Sequence, residues 1–223
     1  MAAPGFHEGG FVFLTGFPRG AGRGVPRMEK TEIQKNFFIP MPVVLVGTQV
    51  NGKANFMAVG WCARVNGNPP MIACGIAKNH YTPKGMEESK TFSVNIPSTD
   101  LLEKTDYCGL VSGAKIDKSG IFTVVYGSLE TAPMVRECPV CLECRLARTV
   151  DLPTHYLYIG EIAGAYADER VLKDGKPDFP AIDPLFLTIP DNRYWSLGKC
   201  AGNAWSVGKN LMQQSHSGTK KGH

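Results

Sequence analysis

The stretch Asn51–Thr82, NGKANFMAVGWCARVNGNPPMIACGIAKNHYT, decides how the rest of the chain is read. Asn51-Gly52 is a strong hairpin signal, because both residues tolerate the positive φ of a two-residue turn. It joins the apolar run Val43–Val50, which follows a Pro40-Met41-Pro42 breaker, to an expected strand over Asn55–Arg64. Pro69-Pro70 closes a loop and opens a second strand, Met71–Ala77, since proline cannot donate in a central ladder. That strand ends in Lys78, Asn79 and His80. Thr82 then stands as the N-cap of a helix to Lys90, with Pro83 at its first position. Free N–H groups, the helix dipole and a cation make such a strand end suited to an anion. These are the parts needed to lay a flat, phosphate-bearing ligand against a sheet.

Alternation along Asn55–Trp61 puts Asn55, Met57, Val59 and Trp61 on one face and Phe56, Ala58 and Gly60 on the other. One face thus carries an amide, a thioether and an indole in a row, and its polar groups need partners if buried. The bland alternative is a turn-adjacent Asn and a packing Trp. Lys118, in the polar run Lys115-Ile116-Asp117-Lys118, is a second cation that would ordinarily be solvated surface.

Outside this stretch, Thr91–Ile96 reads as a strand, and Thr99 or Asp100 caps a helix through Tyr107. Three more strands are expected over Thr123–Glu130, Cys141–Asp151 and Tyr156–Ala167. Asp174-Gly175 marks a turn, and Leu185–Ile189 is a last strand. Many closely spaced strands with two short helices indicate a β-barrel with helical plugs.

The 223 residues suit one domain, and 43% hydrophobic with 20% charged content is ordinary for a globular chain. The net charge of +4 gathers partly at the ends (Arg19, Arg23 and Arg27; Lys209, Lys220 and Lys221). No basic stripe with interleaved aromatics appears, which argues against nucleic acid. No apolar run approaches the ~18–20 residues of a membrane span. Residues 1–27 are Gly-rich and patternless, and are expected to be a disordered extension. A domain over 28–210 and a flexible tail over 211–223 follow. Phe11–Phe17 is too short and lacks the basic flank of a secretory signal. Seven cysteines, an odd number without an export signal, fit free thiols and a cytoplasmic location.

Cys138, Cys141 and Cys144 have the C-x2-C-x2-C spacing from which a zinc or iron–sulfur site begins. However, the segment runs into a strand that sends Cys141 and Cys144 to opposite faces, so buried thiols are expected and no metal site. No G-x-G-x-x-G stands between a strand and a helix, and G-x-S-x-G is absent. Cys200 lies in a Gly-rich segment where a thiol could be reactive.

N-x-M-x-x-x-W from Asn55, P-P-M-I-A-C-G-I from Pro69, K-N-H-Y-T from Lys78 and F-S-V-N-I-P from Phe92 together resemble the flavin reductase-like, FMN-binding split-barrel family. The flavoredoxins are the subgroup most similar in look. The resemblance continues through Ser112–Lys118 (S-G-x-x-x-D-K), Glu137–Cys144, His155–Ile162 (H-Y-L-Y-I-G-E-I), Pro184–Phe186 and Arg193–Gly198. It spans about Glu32 to Lys209. It implies a mainly β fold, an FMN-binding split β-barrel of Greek-key type with a few short helices, and a homodimer. It implies that Asn55, Trp61, Thr82 and Lys118 contact the FMN phosphate and ribityl chain. Met57 and the Cys74–Lys78 strand end (Cys74, Gly75, Ile76, Lys78), with Asn79, would border the ring, and Phe56 is expected among the cofactor-binding residues. His155 matches a family histidine near the flavin, although Pro153-Thr154 replaces the usual residues before it; an ordinary strand-end histidine is the alternative.

The expected function is FMN-dependent electron transfer, as an NAD(P)H:flavin oxidoreductase or a flavoredoxin-type carrier. The electron donor is NADH, NADPH or a redox protein. The cofactor supplies the redox chemistry, so no catalytic side chain is expected. A non-enzymatic flavin-binding or storage module is the alternative.

Overall fold

The computed structural model describes residues 29–209 and 211; the expected extension over 1–27 and nearly all of the expected tail lie outside them. The chain divides into a unit up to Lys35 and a larger one from Asn36, and residues 29–35 form no helix or strand. The larger unit holds β1 (Phe38–Pro42), β2 (Val44–Val50), β3 (Lys53–Val59), β4 (Cys62–Asn66) and β5 (Met71–Ala77). Next come α1 (Thr82–Ser89), β6 (Thr91–Ile96) and α2 (Leu102–Leu110). The short strands β7 (Val124–Val125) and β8 (Met134–Val135) precede the long hairpin β9 (Val140–Asp151) and β10 (His155–Ala167). The chain ends with β11 (Leu172–Lys173), β12 (Lys176–Pro177), α3 (Phe179–Ile182), β13 (Phe186–Ile189) and β14 (Arg193–Trp195).

Seven strands make one antiparallel sheet in the order β3-β2-β6-β9-β10-β5-β4. It curls until β3 lies beside β5 without pairing to it, the opening of a split barrel. A smaller sheet, β1-β13-β14, stands apart from this ladder.

The central strands are apolar on both sides because both faces are covered. Val44, Val46, Val59, Ile76, Phe92, Val94 and Tyr158 fill one core, which Met86 of α1 plugs. Leu45 and Phe56 point the other way, into a second core with Cys108 of α2, Phe122 and Val135. Burying a side chain of this size is worth roughly 1.5–3 kcal/mol. The two cores therefore fix both the register of β2 on β3 and the seat of each helix. Cys141 belongs to the second core and Cys144 to the first, on opposite faces of β9 as the alternation requires.

Several expected elements differ. The Pro40–Pro42 breaker lies inside β1. This is an edge strand with an irregular register against β13, and there a missing N–H costs no ladder bond. The single strand expected over Asn55–Arg64 is two strands, β3 and β4, broken at Gly60-Trp61. The break is needed because β3 pairs with β2 whereas β4 pairs with β5. Thr82 is the first residue of α1 rather than its cap, which falls on Tyr81 without a side-chain bond. A 3-10 turn, Thr99–Leu101, precedes α2 in place of a capping side chain. Of Thr123–Glu130 only Val124–Val125 is strand. The buried Glu143 carboxylate takes the N–H groups of Ser128 (3.1 Å) and Leu129 (2.8 Å), diverting that backbone from a ladder.

Candidate functional site

Where β3 begins, α1 starts and α2 ends, a cavity of about 170 Å³ opens. Asn55 and Met57 reach it from β3, Thr82 from α1, and Lys118 from the loop that follows α2. These four residues, from three separate stretches of the sequence, all came from the motif reading, and the fold brings them together. Val111, Ser112, Gly113 and Tyr81 complete much of the wall. They were missed individually, although Ser112 and Gly113 open the S-G-x-x-x-D-K motif that ends at Lys118.

Asn55 is 6% exposed and Thr82 2%. Asn55 Nδ2 donates to Thr82 Oγ1 across 3.1 Å, which ties the first turn of α1 to β3. A Cβ on Gly113 would stand 2.0 Å from Asn55 Oδ1, so the loop passes over Asn55 only because no side chain is there.

Lys118 is the informative residue. It is 3% exposed, and its Nζ donates to the carbonyls of Cys108 (3.2 Å) and Val111 (3.0 Å). Part of its role is thus to cap the C-terminal carbonyls of α2. Among the described residues no carboxylate pairs with it, and its neighbour Asp117 faces Lys53 at 3.5 Å instead. Burial pulls its pKa below the usual lysine value, while the nearby Cys108 thiol acts in the opposite sense. An ammonium has three N–H donors, and two are occupied here. A buried cation with only neutral acceptors and a cavity beside it suits an anion, whose charge would relieve the desolvation. The donor set fits a phosphate ester: one ammonium, the Thr82 and Ser112 hydroxyls, and the Asn55 amide. His80 also lines the cavity. Burial, then His155, then Lys118 lower its pKa, which favours the neutral imidazole at pH 7.

The other expected contacts lie elsewhere. Phe56, Cys74 and Ile76 are core side chains with exposures of 0%, 0% and 1%. Their alternation faces the two cores rather than the cavity. The N–H of Gly75 is taken by Trp61 O at 2.8 Å, so the middle of β5 has its backbone committed to its neighbours. Lys78 pairs with Asp151 and stands 5.1 Å above the Tyr156 ring, while Asn79 is exposed in the turn. Trp61 and His155 lie against each other, with ring centroids 4.6 Å apart and their planes tilted by 33°. Phe38 covers the indole at 5.5 Å. They form a half-exposed aromatic surface at the end of β5.

The fold is a mainly β split barrel with a cavity that Lys118 helps to line, and known proteins share it. The flavin reductase like domain matches residues 37–186, and the chain belongs to that family. A flavoredoxin from Methanosarcina acetivorans is 56% identical, covers 83% of this chain and 100% of its own, and superposes with a TM-score of 0.81. The flavoredoxin of Desulfovibrio vulgaris (Miyazaki F) is 33% identical over 81% of this chain and 100% of its own, with a TM-score of 0.76. An uncharacterized protein of Archaeoglobus fulgidus is 31% identical over 64% of this chain and 80% of its own. Family and relatives together support flavin binding in electron transfer. Among the described residues no helix is long and apolar enough to cross a membrane.

Proposed function

We infer that this chain binds FMN and passes electrons through it as a flavoredoxin-type carrier. The observation that carries the reading is Lys118: a buried ammonium without a carboxylate, held beside a cavity by two carbonyls. In this reading Lys118, Thr82, Ser112 and Asn55 take the phosphate and the adjoining ribityl hydroxyls. The dipole of α1, whose first turn contains Thr82, adds to the attraction. The flavin, once bound, supplies one- and two-electron chemistry. The chain's own residues bind the phosphate and set the direction of the chain that leaves it, with His80 at the cavity wall.

The 56% identity to a flavoredoxin over that protein's whole length favours the carrier. The family description favours the second reading, an NAD(P)H:flavin oxidoreductase. A homodimer fits both: exposed Phe38, Ile39 and Trp61 leave apolar surface that a second copy would cover. The free thiols support a cytoplasmic location as part of this reading.

The test is anaerobic reduction of the purified, FMN-loaded protein. Bleaching of the flavin band by a reduced redox protein or dithionite, but not by NADH or NADPH, supports the carrier. Rapid bleaching by NADH or NADPH assigns the reductase. Protein that takes up no FMN overturns both.

A further inference from the structure

Cys62 in β4 and Cys74 in β5 are cross-strand partners in register. Their Sγ atoms lie 3.4 Å apart. Next to them the N–H of Gly75 donates to Trp61 O at 2.8 Å, so Trp61 and Gly75 occupy a hydrogen-bonded position of the ladder. Positions alternate in an antiparallel pair, which makes Cys62/Cys74 the non-hydrogen-bonded kind, with Cα atoms about 4.5 Å apart. A disulfide bridges Cα separations of about 4.4–6.8 Å. Bond formation therefore asks for side-chain rotation and no change of register.

The two thiols differ in access. Cys74 is fully buried, and Cys62 is half-buried on the edge strand. The hydrogen bond with Cys62, then burial, push the Cys74 thiol well up, so it rests protonated against its partner. The remaining cysteines differ: Cys108, Cys138, Cys141 and Cys144 are buried, and Cys141 donates to the carbonyls of Val135 and Cys138. Cys200 is exposed, its thiol directed to the Gly202 carbonyl. The FMN reading gives Cys62 no contact, and the Cys74 side chain, expected at the ring border, lies in the core.

We propose that Cys62 and Cys74 form a reversible dithiol–disulfide site, oxidised by a hydroperoxide that reaches Cys62. Cys62 Sγ attacks the outer peroxide oxygen; the O–O bond breaks, an alcohol or water leaves, and Cys62 becomes a sulfenic acid. Cys74 Sγ then attacks the Cys62 sulfur. The S–S bond forms, the S–O bond breaks, and the hydroxyl departs as water with the Cys74 proton. The pair loses two electrons in all, and the peroxide gains them. An external dithiol reverses the reaction by exchange. The new bond staples edge strand β4 to β5 directly beside Trp61, whose ring lies over Gly75 and against His155.

The test uses the full-length Cys200→Ser protein, which lacks the exposed competitor, treated with hydrogen peroxide. Two thiols disappear, the mass falls by two hydrogens, and non-reducing peptide mapping finds one cross-linked peptide joining Cys62 to Cys74. Dithiothreitol restores both thiols. Cys74→Ala, which leaves no resolving thiol, stops at a Cys62 sulfenic acid that dimedone traps. The proposal is overturned if both thiols survive peroxide that oxidises other residues. Direct passage of Cys62 to the sulfinic acid without a cross-link, in protein that retains Cys74, would overturn it equally.

Discussion

Asn55 Nδ2 donates to Thr82 Oγ1 across 3.1 Å with both side chains buried, and this bond fastens the barrel wall to the helix that plugs it. Thr82→Val keeps the shape and removes the acceptor. It leaves a buried amide donor unsatisfied, which costs about 1–3 kcal/mol of apoprotein stability. Denaturant unfolding should show a lower midpoint, and FMN titration a weaker complex. An unchanged midpoint would mean that Asn55 finds another partner.

Gly113→Ala should be harmful out of proportion to one methyl group. Its Cβ would sit 2.0 Å from Asn55 Oδ1, so either the loop lifts or Asn55 turns into the cavity. Overpacking of this kind costs roughly 1–3 kcal/mol. FMN affinity should fall while Gly120→Ala, with open space around its Cβ, leaves it unchanged. Isothermal titration of the two variants makes the comparison.

Acid should loosen the β9–β10 side of the barrel first. Burial raises the Glu143 pKa, but donors from Ser128, Tyr166 and Leu129 outweigh it and hold the carboxylate below its usual value. A depressed carboxylate stabilises the fold above its unfolded value near 4.5, and that contribution fades as pH falls through the folded one. Glu143→Gln should cost about 1–3 kcal/mol at pH 7 and flatten the acid limb of the stability curve. A variant whose acid limb matches the wild type would place the titration elsewhere.

Binding should also weaken in alkali earlier than a free lysine would dictate. Burial lowers the Lys118 pKa from its ordinary 10.5, so apoprotein releases that proton at lower pH, and a bound anion raises it again. FMN affinity should therefore decline with rising pH through that lowered value. Lys118→Met should abolish this alkaline limb while leaving the phosphate's own titration near pH ~6 in place.

These residues also show what the sequence could disclose. β5 and β6 were legible because Pro69-Pro70 and local alternation punctuate them, and both match the observed bounds, Met71–Ala77 and Thr91–Ile96. Thr123–Glu130 was not, since the N–H groups of Ser128 and Leu129 go to Glu143 and that of Thr123 to Glu137, partners that only the folded chain supplies. Asn55, Thr82 and Lys118 meet through three separate elements, so local spacing left each with a bland reading and only the family pattern joined them. That pattern carried Phe56, Cys74 and Ile76 along with them, where strand alternation buries the side chains in the cores. Gly113 went unread because its meaning is the space above Asn55.

The most direct measurement of the central claim compares FMN with riboflavin, which lacks the phosphate, on wild type and on Lys118→Met. Loss of a charge-assisted phosphate contact of about 1–3 kcal/mol predicts FMN affinity lower by roughly 5–150-fold in the variant. Riboflavin, with no phosphate to lose, should bind both proteins alike. Equal FMN affinity in the two proteins, or an equal loss for riboflavin, would contradict the placement of the phosphate at Lys118.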